Sequence, residues 1–263
     1  MKYGWIPDVP DFRDFKYTPK FASRILPSEV DLRREGLLEP IYDQGQLGSC
    51  TAQSVSKAVW YQQQRQNDPD PVMPSRLFTY YNARRLAGNE KVDSGAMIRD
   101  AIKAVAKWGN CPEELWEYDV NKFARKPTNE AYRAATKHQA LQYSRIGENL
   151  ESMKDCLARG FPFVFGFAVY SGIDDPQVVK TGIIKMPTQN ESMQGGHAVL
   201  CVGFFDQKTV EIKGETVELK NVFIVQNSWG TAWGDGGFCY MPYEYLTTPN
   251  LADDRWYIGL MEI

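Results

Sequence analysis

Tyr42-Asp43-Gln44-Gly45-Gln46-Leu47-Gly48-Ser49-Cys50 reads as a glycine-containing turn that delivers a cysteine to the start of a helix. Beyond it, Ala52, Val55, Val59 and Gln62 recur at steps of three and four, with Ala58 beside them, which is helical spacing. Ser49 is a good N-cap candidate for that helix. The positive end of a helix dipole lowers a thiol's pKa, and a neighbouring imidazolium lowers it further. Values of roughly 3–4 occur in such pairs, against about 8.5 for a free thiol. The thiolate is the form that attacks carbonyls, so a cysteine at this corner is ready to react. Read alone, Cys50 is still better taken as a small residue at a tight loop–helix junction.

Outward from this corner the chain divides by class. Before it, residues 26–40 look irregular, and residues 1–24 are rich in proline and aromatics without helical or strand period, an extended arm. After it, a Pro/Asp loop at 68–74 leads to helices expected at 75–87, opened by Ser75, and at 96–107, closed by Gly109. Further helices are expected near 129–137 and 149–159. The second half changes to strand composition at 161–170, 197–205, 209–212, 216–219, 222–226 and 237–241, with Lys213-Gly214 as a hairpin turn. An α+β chain with helices first and strands second predicts two lobes of different class and a cleft between them, a common place for a ligand.

The chain has 263 residues, enough for one large domain or two modest ones around a shared cleft, with an ordinary 43% hydrophobic and 24% charged content. A formal charge of −3 without a basic block argues against a nucleic-acid partner. The best apolar run, 161–169, is strand-length, so no membrane span is expected. The first residues lack the apolar stretch of a signal peptide, which points to a cytoplasmic protein or to leaderless export. Cys50, Cys111, Cys156, Cys201 and Cys239 are odd in number, scattered and without a Cys-x-x-Cys pair. That argues against a disulfide framework and against a zinc site, and no metal or other cofactor is expected. Four of the five sit among apolar neighbours and read as buried thiols.

Only His138 and His197 are available as a histidine base. Gly195-Gly196-His197 is compatible with a simple turn, Asn227 with a strand end bonding its own backbone, and Gln44 with any loop glutamine. None of these carries a function singly. Together they form a pattern. Gln44-Gly-Gln-Leu-Gly-Ser-Cys50 resembles the active-site segment of the papain family of cysteine peptidases. Gly195-Gly196-His197-Ala198-Val199 resembles that family's histidine segment. Asn227-Ser228-Trp229-Gly230-Thr231-Ala232-Trp233-Gly234-Asp235-Gly236-Gly237-Phe238 resembles its asparagine segment almost residue for residue. The order Gln, Cys, His, Asn also fits, and 26–33 looks like the family's mature N-terminus. The family's usual tryptophan after the nucleophile is Thr51 here, and Leu47 stands where a disulfide cysteine is usual. Half-cysteines are also missing around Asp93, which suggests a bacterial, disulfide-free, xylellain-like branch.

The resemblance implies a papain-like two-lobe fold, a helical lobe of about 35–138 packed on an antiparallel, barrel-like strand lobe of about 139–250, with a C-terminal strand at 256–263. Residues 25–263 would be the catalytic domain and 1–24 an arm or short pro-segment. It implies a cysteine endopeptidase with Cys50 as nucleophile, His197 as base, Asn227 orienting the base and Gln44 binding the oxyanion with the Cys50 N–H. Trp229 would cover the pair. Extended peptide would pair beside Ser94-Gly95, and Met97, Ile98, Gly166, Gly195, Gly196 and Ala198 would shape the binding surface. An apolar residue two before the cut would be preferred. The expected partner is a peptide or protein substrate of a monomeric enzyme. The arm is expected to act as an intramolecular inhibitor, anchored by Trp5, Ile6, Phe12, Phe15 and Tyr17, or else to serve as a stabilising strap. An acyltransferase on the same fold, a catalytically dead binding module and a structural protein are the competing readings.

Overall fold

In the computed structural model, described over residues 2–20 and 26–262, the helix opened by Cys50 is the centre of the molecule. The elements in order are β1 (Glu29–Asp31), α1 (Cys50–Arg65), α2 (Arg76–Leu86), α3 (Ile98–Trp108), α4 (Asn129–Ala135), β2 (Ala140–Arg145), α5 (Leu150–Ala158), β3 (Phe163–Tyr170), α6 (Pro176–Thr181), β4 (Met193–Ile212), β5 (Glu215–Gln226), β6 (Phe238–Pro242), α7 (Tyr243–Thr247) and β7 (Ala252–Met261). The boundary expected at 24/25 lies outside the described residues.

Nearly all of α1 is buried, polar residues included. That is the signature of a helix packed on all sides: α2 and α3 lie along it, and β4 and β7 press on it from the sheet. Ser54 Oγ bridges the two halves, donating to Ala198 O in β4 at 2.9 Å. The sheet is antiparallel in the order β2-β7-β3-β4-β5-β6, with β1 on β4. The separate short strands expected within 197–212 and 216–226 merge into the long hairpin β4–β5. Lys213 and Gly214 turn it with φ of 51° and 81°, the positive pair that matches strand twist.

Two local expectations need correction. Ser49 does not cap α1 through its side chain; its hydroxyl is occupied by Tyr118 Oη and Gln53 Nε2. Ser75 does cap α2, accepting from Phe78 N at 3.1 Å. In the arm, Phe12 and Phe15 are 93% and 67% exposed, and Phe15 meets only the edge of Tyr143, centroids 6.2 Å apart, so neither is a buried anchor. Polar groups take their place. Asp14 forms a buried ion pair with Arg99, whose guanidinium also reaches Val9 O. Tyr17 is buried and bonds Asp155 and Arg159.

All five cysteines are free and buried. Dithiothreitol is therefore expected to leave the melting temperature unchanged while supporting activity, because Cys50 acts only when reduced. A fall of more than a few degrees on reduction, followed by thermal denaturation, would reveal a disulfide.

Candidate active site

Cys50 occupies the first helical position of α1 and is fully buried. The Ala198 amide donates to its Sγ at 3.4 Å, which ties the helix start to the strand carrying His197. His197 Nε2 lies 2.8 Å from Asn227 Oδ1. That same oxygen accepts the Ser228 N–H at 2.8 Å. A backbone N–H can only donate, so the atom facing the ring is the amide oxygen, and Nε2 carries the hydrogen. The neutral ring then presents Nδ1 as a bare acceptor, and among the described residues this buried atom has no hydrogen-bond partner. Trp229 stacks on the imidazole with centroids 4.6 Å apart and planes at 26°, and Phe167 meets it edge-on at 5.7 Å. The ring is thus held in one plane and one tautomer.

Gln44 is held as firmly. Its Oε1 accepts from Ser228 Oγ at 2.8 Å, and its backbone N–H donates to Ser228 O at 2.9 Å. With the oxygen engaged, Nε2 points the other way and donates to Leu47 O and to the Lys2 carbonyl, each at 3.0 Å. The donor expected for an oxyanion is therefore occupied by a carbonyl of the arm.

The arm runs through the cleft from there. The side chain of Lys2 pairs with Asp93. Tyr3 packs edge-on to His197, centroids 6.1 Å apart, and against Gly195. Gly4 threads between two loops: a Cβ on Gly4 would stand 1.9 Å from Gly48 O, and one on Gly95 would stand 2.2 Å from Gly4 O. The Gly4 N–H is directed at the Cys50 sulfur. Strand-like bonding follows at Ala96, which donates to Gly4 O at 2.9 Å and accepts from Ile6 N at 3.2 Å. This pairing falls one residue beyond the expected Ser94-Gly95 edge, because the Gly95 N–H is already spent on Tyr80 Oη and its carbonyl takes the Ser94 hydroxyl. Trp5 N donates to Gly196 O at 2.9 Å, and its indole lies on Gly166.

Of the other expected binding residues, Ala198 lies opposite Gly166 in register and is buried. Ile98 is fully buried at the start of α3, with Met97 half-buried before it. His138, the other histidine, follows α4 and its carbonyl takes the Asn110 amide. Ser228, Tyr118 and Asp254 were not singled out from the sequence. Ser228 stood beside Asn227 in the best-matched segment. Tyr118 donates to Gln44 O at 2.9 Å and carries no local signal. Asp254 sits in a charged Asp253-Asp254-Arg255 run at the start of β7, which reads as an exposed strand end. Among the described residues, no group of His, Cys, Asp and Glu is arranged to hold a metal ion.

Covered by the arm, the pair departs from the ion pair expected at this corner. Burial raises the Cys50 thiol and lowers His197 to about 4. Desolvation penalises both charged forms, and the hydrogen bonds that the sulfur accepts and that His197 donates to Asn227 only partly offset it. With the arm in place, burial disfavours the charged form of both the thiol and the imidazole.

Residues 26–257 match the family model described as papain family cysteine protease. An uncharacterized peptidase C1-like protein of Acanthamoeba polyphaga mimivirus is 39% identical, with 97% of this chain and 86% of that protein covered. Cathepsin K of Gallus gallus is 27% identical over 90% of this chain and 65% of its own length. The crystal structure of xylellain, a cysteine protease from Xylella fastidiosa, superposes with a TM-score of 0.84 at 40% identity, covering 98% and 95% of the two chains.

Proposed function

The chain belongs to the papain family of cysteine proteases, and from that we propose that it hydrolyses peptide bonds through a Cys50 thioester and is held back by residues 2–6 of its own arm. The observation that carries the reaction is the fixed His197 ring, with Nδ1 bare and Nε2 bound to Asn227, on the strand whose next amide touches the Cys50 sulfur. Once the cleft opens to water, the desolvation penalty on the ion pair falls. His197 Nδ1 takes the thiol proton, and the thiolate adds to the scissile carbonyl. The developing oxyanion takes the place of the Lys2 oxygen at Gln44 Nε2. As the tetrahedral adduct collapses, the C–N bond breaks and His197 gives its proton to the leaving amine. Water then cleaves the thioester, returning the acid product and the thiol.

The direction of the arm supports inhibition rather than self-cleavage. A substrate with its carbonyl at Gln44 and the residue two before the cut in the pocket at Gly166 runs from pocket to hole. The arm runs from hole to pocket, because Trp5 follows Lys2. The pocket walls at Gly166, Gly196 and Ala198 leave room for a large side chain, consistent with an apolar preference.

Gln44→Ala is expected to lower kcat by roughly 10²–10³-fold, the usual effect of removing one oxyanion donor. The loss should fall on kcat with KM little changed, since the bond strengthens only in the transition state. Steady-state kinetics on a fluorogenic peptide decides. A folded Gln44→Ala enzyme with normal kcat would take Gln44 out of the oxyanion site.

A further inference from the structure

Trp5 reveals a polar floor beneath the apolar pocket it fills. A Cβ on Gly166 would lie 2.0 Å from the indole, and one on Gly196 would lie 2.8 Å from it. Gly166 in β3 stands opposite Ala198 in β4 and Asp253 in β7, so the pocket opens where three strands adjoin. The indole Nε1 donates to Asp254 Oδ2 at 3.0 Å. The Asp254 side chain is only 1% exposed. It adopts a φ of 54°, an uncommon backbone state for a residue other than glycine. Its remaining partners do not depend on Trp5: the Asp8 amide reaches Oδ2 at 2.7 Å, and Arg145 reaches Oδ1 at 2.9 Å. Asp8 is itself fixed by Trp256 Nε1 at 2.9 Å and the Arg99 amide at 3.1 Å. When residues 2–6 swing out and the arm beyond Pro7 stays down, Asp254 keeps Asp8 and Arg145. It loses one donor, and it loses it on the side facing the pocket. A buried carboxylate oxygen left without that donor in an apolar-walled site is costly.

We propose that Asp254 determines the specificity of this pocket, and that the enzyme favours peptides with an aromatic N–H donor, tryptophan above all, two residues before the cut. The inference rests on the peptidase reading and on that residue entering the pocket at Gly166. An aromatic ring fills the space over Gly166, and its N–H restores the bond to Oδ2. Leucine or phenylalanine fills space but leaves Oδ2 with the Asp8 amide as its one remaining donor. A cationic side chain gains little, because Arg145 already faces the carboxylate. Sites built to hydrogen-bond a group reject analogues that lack it.

The test uses the full-length protein and fluorogenic peptides identical except at that position, which carries Trp, 3-benzothienylalanine (sulfur in place of the indole N–H), Leu or Arg. Mass spectrometry of the products fixes the cut. The fraction of molecules with the arm out of the cleft scales every kcat/KM alike, so the ratios report the pocket alone. Trp is expected to exceed benzothienylalanine by about tenfold to a hundredfold, the range for a hydrogen bond to a charged group. Asp254→Asn retains size and tolerates the positive φ, and with a neutral acceptor the ratio should shrink to a few-fold. Should that variant fail to fold, the wild-type ratio between Trp and its isostere decides alone. Equal rates for those two, a faster rate with Arg, or an unchanged ratio in folded Asp254→Asn overturns the proposal while leaving the peptidase intact. Failure to cleave any of the peptides, together with a Cys50 inert to a small alkylating reagent, removes the peptidase reading and this specificity with it.

Discussion

Cys50→Ala is expected to lower peptide turnover by roughly 10⁴-fold or more while leaving the fold in place. The substitution removes one sulfur atom whose hydrogen bond from the Ala198 amide is long at 3.4 Å, so the melting temperature should move by no more than a few degrees. The thioester cannot form without it. His197→Ala should be nearly as damaging, since residues that act as a unit lose most of their effect when any one is removed. His138→Ala should be mild, because that ring touches none of the groups around Cys50. The comparison is made on purified variants with one fluorogenic peptide. Near wild-type turnover by Cys50→Ala, or a severe loss in folded His138→Ala, would reverse the assignment of nucleophile or base.

The arm should separate into two parts with opposite effects when shortened. Deleting residues 1–6 takes away the Lys2 carbonyl from Gln44, Gly4 from the Cys50 sulfur and Trp5 from its pocket. That deletion is expected to raise kcat/KM by about tenfold or more, in proportion to the fraction of molecules freed. Thiol alkylation at neutral pH should speed up with it, because a sulfur now fully buried becomes accessible and the desolvation that disfavours its thiolate is relieved. Deleting residues 1–20 removes in addition Asp8 and Asp14, and strips Arg99 and Arg145 of partners. Breaking a buried ion pair by removing one side costs about 3–5 kcal/mol. At roughly 2–4 °C per kcal/mol for a chain of this size, a drop of about 10 °C is expected. Block and strap are then separate duties of one segment. Faster kinetics only with the longer deletion, or no thermal difference between the two, would contradict that division.

The parts of this site legible in the sequence are those set by local chemistry. The glycine turn before Cys50 and the spacing after it predict a helix start because both signals lie within a few residues. His197 and Asn227 were legible only as segments matching a family, since the 2.8 Å bond between them joins positions 30 residues apart. The path of the arm had no local signal at all: Trp5 and Asp254 are separated by 249 positions, and Gly4 is required by the approach of Gly48, not by a turn. Phe12 and Phe15 misled because apolar side chains ordinarily mark burial, whereas here buried carboxylates hold the strand. β2 escaped because bulges at Ala140, Gln142 and Tyr143 break its two-residue alternation and Leu141 is exposed. The burial that disfavours charge on Cys50 and His197 could not be read either, as it depends on the arm excluding water.

One substitution in the full chain probes the central claim most directly. Gly4→Ala places a methyl group where Gly48 O already lies 1.9 Å away, and backbone on both sides leaves it no room. The arm beyond Pro7 keeps its ion pairs, so only residues 2–6 are displaced. Measured against wild type with the same fluorogenic peptide, Gly4→Ala is predicted to raise kcat/KM by about tenfold or more at an unchanged melting temperature. An equal or lower kcat/KM in a folded Gly4→Ala protein would contradict a cleft held shut by its own arm.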